Sequence, residues 1–206
     1  MNTADWARAH DISIEEIPPA ITDFDKAYAR SAADIAKRCL ILQGIVAVAY
    51  ECDSEPILEW FESQGIMGDV SPQELAFLQA QSRSEREVMK MQWRQETEWA
   101  LLWIISKVDS LGLPTQQCDS RRLVDEIIPA LGETIGDFVS SAKLRTPGEI
   151  LAEDDRTYNL WCYAKQAKRR NEPLPDDLDY GVLYERRYAF EWLDEFQEWD
   201  EVTCDS

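Results

Sequence analysis

Histidine is nearly missing from this chain: His10 is the only one in 206 residues. It stands in a polar N-terminal stretch and reads as a surface residue. Ser-His and Cys-His nucleophile–base pairs cannot be built without it, so the common acyl-transfer arrangements drop out. There is no H-E-x-x-H, no Gly-rich phosphate loop and no G-x-S-x-G. The five cysteines, Cys39, Cys52, Cys118, Cys162 and Cys204, are odd in number and form no C-x-x-C pair. They read as reduced thiols of a cytoplasmic protein. With one His and scattered Cys, zinc is not expected. No catalytic residue, metal ligand or cofactor is assigned.

Positive charge is also short. Lys and Arg number 21 against 40 Asp and Glu, a net charge of −19. That balance argues against nucleic-acid binding, which depends on Lys and Arg displacing phosphate counterions. It disfavours an anionic membrane surface and suits a basic partner. The longest apolar run, Leu40 to Tyr50, contains Gln43 and is too short to span a bilayer. The opening Met1-Asn2-Thr3-Ala4-Asp5 lacks the basic and apolar blocks of a signal peptide, so a cytoplasmic location is expected. No alternating strand pattern, repeat period or flexible linker appears.

What remains is helical periodicity. Ser84 to Gly112 reads as one long helix, about 84–111. Ser84 and Glu87 have capping-box spacing, and Gly112 with Pro114 supplies a stop. From Ala100 to Ile105 it is apolar all round, as in a helix buried on every side. Residues 3–9 read as a short helix anchored by Trp6. Asp11 to Ile21, with Pro18-Pro19, reads as extended, and Thr22 with Asp25 as a short helix start. A fresh cap at Ser31 opens a helix to about Tyr50 that carries Ile35, Cys39, Leu42 and Val46 on one face. Further starts stand at Ser54, at Ser71-Pro72-Gln73-Glu74, at Asp119 or Ser120, and at Thr146-Pro147-Gly148-Glu149. A last helix is expected from about Tyr180 to Phe196, then an extended tail docked by Trp199. The expected fold is all-α: a single domain over 1–206 of seven or eight helices around the long central one.

Two groups of residues stand out as candidate sites. Glu96 shares a helix face with Trp93, Ala100 and Trp103, so its carboxylate should be partly buried and need a partner. Arg94 points about 160° away around the helix, leaving Arg30, Arg38, Arg186 or Arg187. Arg30, Arg38, Trp93, Glu96 and Arg186 are therefore the candidate buried polar network or small-ligand pocket. The second group is the C-terminal end. From Tyr188 onward there are seven acids, no Lys or Arg, and the aromatics Trp192, Phe196 and Trp199. Trp199, Asp200 and Glu201 form a candidate surface for a basic protein. Glu153-Asp154-Asp155 is the densest acidic cluster before the tail and reads as a solvated helix face.

Three stretches together carry a resemblance. Arg30-Ser31 through Arg38-Cys39-Leu40 is the first. Trp93-Arg94-Gln95-Glu96 into Leu101-Leu102-Trp103, followed by Leu113-Pro114, is the second. The third runs from Leu144-Arg145 and Glu149-Ile150-Leu151 through Tyr184-Glu185-Arg186-Arg187-Tyr188-Ala189 to Trp199-Asp200. In this order and spacing, over about residues 25 to 205, they resemble an uncharacterised bacterial family, domain of unknown function four-two-seven-two. Residues 1–24 then form an N-terminal extension packed on the domain. The ending departs slightly, with Asp205-Ser206 where the family is expected to have Asp-Thr. The resemblance implies one helical, intracellular domain and brings no activity, cofactor or catalytic residue. Two functions are open. One is binding of a basic protein, as an inhibitor or immunity-type partner. The alternative is a small-molecule-binding domain or enzyme with a buried Arg/Glu/Trp site around Glu96.

Overall fold

A computed structural model of the chain describes residues 3–12, 30–174, 177–194 and 196–204. These residues form helices and no strand. The helices are α1 (Thr3–Ala9), α2 (Ala32–Ala49), α3 (Ser54–Ser63), α4 (Pro72–Gln79), α5 (Glu85–Ile104), α6 (Ser120–Arg122), α7 (Gly136–Ser140), α8 (Pro147–Arg170) and α9 (Tyr180–Glu191). The expected segments at 13–21 and 22–25 lie outside the described residues.

Four starts use the same local chemistry. At Ser31/Asp34, Ser71/Glu74, Ser84/Glu87 and Thr146/Glu149 the hydroxyl accepts the third helical amide, and the acid takes the cap amide in return. Helix α2 packs on α5, α5 on α9, and α9 on α8. Helices α3, α4 and α7 flank α2, and α1 lies on α8. Two glycines set close approaches. A Cβ at Gly44 would stand 2.5 Å from the Phe61 ring, and one at Gly181 2.5 Å from the Trp93 ring. Trp93 of α5 therefore lies directly on the first turn of α9.

Two helices end earlier than their periodicity predicts. Helix α5 stops at Ile104, not near residue 111. Ser106 takes a left-handed conformation (φ 59°), and its amide and that of Lys107 fold back onto the Trp103 and Leu102 carbonyls. The Ile104 carbonyl then accepts the Arg145 amide at 2.9 Å, and Arg145 Nε donates to the Trp103 carbonyl at 2.7 Å. A segment forty residues away thus caps the helix, and Gly112 and Pro114 play no part in the stop. Helix α9 ends at Glu191, short of Phe196, because the Trp192 carbonyl accepts Arg30 Nε at 2.7 Å. Beyond α6 the chain continues as a π-helical turn, Leu123–Ile127, a geometry its apolar spacing does not reveal.

Candidate functional site

Arg38, on the second turn of α2, is 7% exposed. Its Nη1 donates to Glu74 Oε2 at 2.7 Å, and its Nη2 to the Asp69 carbonyl at 2.5 Å. Glu74 is the acid of the α4 capping box, and the same Oε2 accepts the Ser71 amide at 2.9 Å. The cap of one helix is thereby tied to a cation on another.

The C-terminal segment closes over this pair. Asp200 accepts the Ser71 hydroxyl at 2.7 Å and the Gln73 amide at 2.9 Å, so its carboxylate sits at the start of α4. Trp199 is buried, and its carbonyl accepts the Tyr188 hydroxyl. Burial pushes that phenol up to about 12, which keeps its proton in place to donate. The Trp199 ring lies 4.6 Å from the Arg38 guanidinium and edge-on to Trp192 and Tyr188, at 5.3 and 5.0 Å. Arg30 stacks over Trp192 at 4.2 Å and donates to the Trp192 and Gln197 carbonyls. Burial pulls the Arg30 guanidinium below its ordinary value, with Glu198 opposing.

Between α2, the 68–72 turn and the tail lies a cleft of about 500 Å³. Its charged lining is Arg30, Arg38, Asp34, Asp69, Glu198, Asp200 and Glu201. Five carboxylates therefore face two guanidiniums, and both guanidiniums are already engaged by protein oxygens.

The five residues expected to share one pocket fall in three places. Arg30 and Arg38 line this cleft. Trp93 covers Gly181. Glu96 is fully buried beneath the 118 segment, where its Oε1 accepts the Cys118 amide at 2.6 Å. Arg186 donates to the Leu111 and Gly112 carbonyls at 2.7 and 3.0 Å. It lies close enough to Glu96 to favour the carboxylate, but burial dominates and raises that carboxyl. No Arg–Glu96 ion pair forms among the described residues. Glu96, Trp93 and Arg186 line none of five clefts in the described structure. Instead Arg30 and Arg38 join the group proposed as a partner surface, and within that group Trp199 is a core residue. The Glu153-Asp154-Asp155 cluster also turns inward. Asp154 meets Arg187 at 2.7 Å, Glu153 pairs with Arg156, and Asp155 accepts Thr3 Oγ1 at 2.5 Å from α1.

Sequence reasoning missed two buried groups on α5. Arg94 is paired with Glu185 at 2.9 Å and lies 3.7 Å from the Tyr188 ring. Glu98 is 0% exposed, with neither carboxyl oxygen hydrogen-bonded among the described residues. Both positions lie on α5 just before the Ala100–Ile105 stretch read as buried on every side, and the burial extends further towards the helix start than its apolar run indicates. Among the described residues no group of His, Cys, Asp and Glu could hold a metal, and no helix is long and apolar enough to cross a membrane.

Comparison with known families matches residues 2–202 to the family described as domain of unknown function (DUF4272). The chain belongs to this family. The match begins at residue 2, so the stretch set apart as an N-terminal extension falls within it. Thr3 and Trp6 accordingly sit against α8, with Arg156 over the Trp6 ring at 4.6 Å. No curated protein matches the chain, and no solved structure does.

Proposed function

We propose that this is a protein-binding domain whose acidic cleft receives a basic segment of a partner protein, as an inhibitor or immunity-type protein would. The observation that carries the reading is the lining of the cleft. Glu198, Glu201, Asp34 and Asp69 are exposed at its rim, whereas Arg30 and Arg38 are spent on internal carbonyls and Glu74. Asp69 is shared with Lys37 at 3.6 Å and Asp34 caps α2, so an incoming Lys or Arg meets Glu198 and Glu201 first, and the net charge of −19 favours its approach. The Arg38–Glu74 pair and the seated Trp199 hold the walls rigid, so little ordering opposes binding.

The test is a fluorescence-anisotropy titration of a short Lys/Arg/Gly peptide at about 50 and about 300 mM salt, where screening differs strongly. Saturable binding that weakens with salt is expected. Replacing the rim as Asp69→Asn, Glu198→Gln and Glu201→Gln should weaken it about tenfold or more. The same charge change on α3, at Glu55, Glu59 and Glu62, none of which lines the cleft, should leave affinity within about twofold. Absence of saturable binding, or equal weakening by both sets, overturns the proposal.

A further inference from the structure

A second cavity, away from the acidic cleft, has the opposite character. It encloses about 220 Å³ between α2, α3 and residues 124–131. Its floor is Gly44 and Ala47 of α2 with Trp60 of α3, and its far wall includes Pro129 and Ala130. The small Ala47 and Ala130 side chains leave the space open, while the room a Cβ at Gly44 would take is already held by Phe61 and Ile57. The far segment is also tied to α3. Trp60 Nε1 donates to the Glu133 carbonyl at 2.8 Å, and the Ile135 amide donates to Gln64 Oε1 at 3.1 Å. These two bonds pin it beside the cavity. Val124 and Leu131 stand at its mouth, 59% and 53% exposed.

None of the eleven lining residues is charged, in a chain of which 30% is charged. A charge entering here would lose its water and find no counter-charge. The volume exceeds the ~150 Å³ apolar cavity that holds a benzene molecule and falls below the ~300 Å³ of drug-sized sites. The geometry points to a binding site for one small neutral molecule, a single aromatic ring or a short branched hydrocarbon group, with at most one polar atom turned to the Gln43 amide. This site is independent of the acidic cleft and of what binds there.

Cys52 lies in the cavity lining and is the exposed cysteine among the described residues. Burial pushes the Cys39 and Cys118 thiols well up, which sets their reactivity apart. The test follows iodoacetamide labelling of Cys52 in the full chain by peptide mass spectrometry, with indole as the probe. Indole should slow the labelling to a plateau, by about threefold or more, and raise the melting temperature. Ala47→Leu fills the floor. Ala130→Leu fills the far wall from an exposed loop position, so it keeps the test alive if the helix variant folds poorly. Each should abolish protection, measured as the ratio of that variant's own Cys52 labelling rates with and without indole. No protection, or protection that survives both fillings, overturns the site. Protection by a Leu- or Trp-bearing peptide where free indole gives none would also overturn it, in favour of a docked partner segment.

Discussion

Arg94 and Glu98 stand one turn apart on α5, both buried, and their surroundings are opposite. Arg94 has a carboxylate at 2.9 Å, and the same Glu185 oxygen also accepts the Thr97 hydroxyl at 2.5 Å. The Tyr188 ring covers its guanidinium. Glu98 has no cation and no hydrogen bond among the described residues, and burial alone lifts its carboxyl well above the usual range. The difference shows how a chain with 40 acids and 21 Lys and Arg distributes its cations. Buried guanidiniums are matched by a carboxylate, as in Arg38–Glu74 and Arg187–Asp154, or by main-chain carbonyls, as in Arg186. For Glu98, left without a cation, burial favours the protonated form instead.

The largest effect should come from breaking the Arg94 side of the contrast. Glu185→Ala leaves a guanidinium buried without its counter-charge, at a cost of about 3–5 kcal/mol. In a domain of this size that lowers the melting temperature by ~10 °C. A loss below about 1 kcal/mol in denaturant unfolding would show that Arg94 is not held by this pair. Next comes Asp200→Ala, which strips the carboxylate from the start of α4. It should cost about 1–2 kcal/mol, on the scale of a lost helix cap, and Ser71→Ala on top of it should cost less than Ser71→Ala alone, because the shared hydrogen bond is already gone while the cap to the Glu74 amide is still lost. Fully additive losses would separate the two residues.

The smallest effect, and the one with a distinctive sign, belongs to Glu98. Its folded carboxyl is raised above the unfolded value, so its contribution is intact below the unfolded pKa of about 4.3 and is lost as pH rises towards the folded one. Glu98→Gln cannot ionise and escapes that loss. Its melting temperature relative to wild type should therefore climb by a few degrees, ~2–4 °C, between about pH 5 and about pH 8. A difference that stays flat or falls with pH would mean that Glu98 is ionised in the folded protein.

The helical class and the helix starts were legible because they are local. A Ser or Thr cap with an acid three residues on forms the same two hydrogen bonds wherever it occurs, and four such boxes stand where the spacing placed them. Two of the ends were not legible, because distant residues make them: Arg145 caps α5 and Arg30 takes the carbonyl that ends α9. The candidate site was legible in its members and not in its grouping. Arg30, Arg38, Trp199, Asp200 and Glu201 do converge, but through the tail folding over α2 and α4, a contact that helical periodicity cannot show. Glu96, read as partly buried, is fully buried, yet its partner is the Cys118 amide, and a backbone group leaves no trace in residue spacing.

The most direct test of the acidic cleft as a binding site is to watch its indoles. With the ring nitrogens ¹⁵N-labelled, the eight tryptophans can be followed during titration with a Lys-rich peptide. The account predicts saturable, salt-sensitive shifts of the Trp192 and Trp199 signals, while Trp60 and Trp161 stay in place. Shifts spread over all eight, or none at Trp192 and Trp199 while the peptide binds, would contradict it.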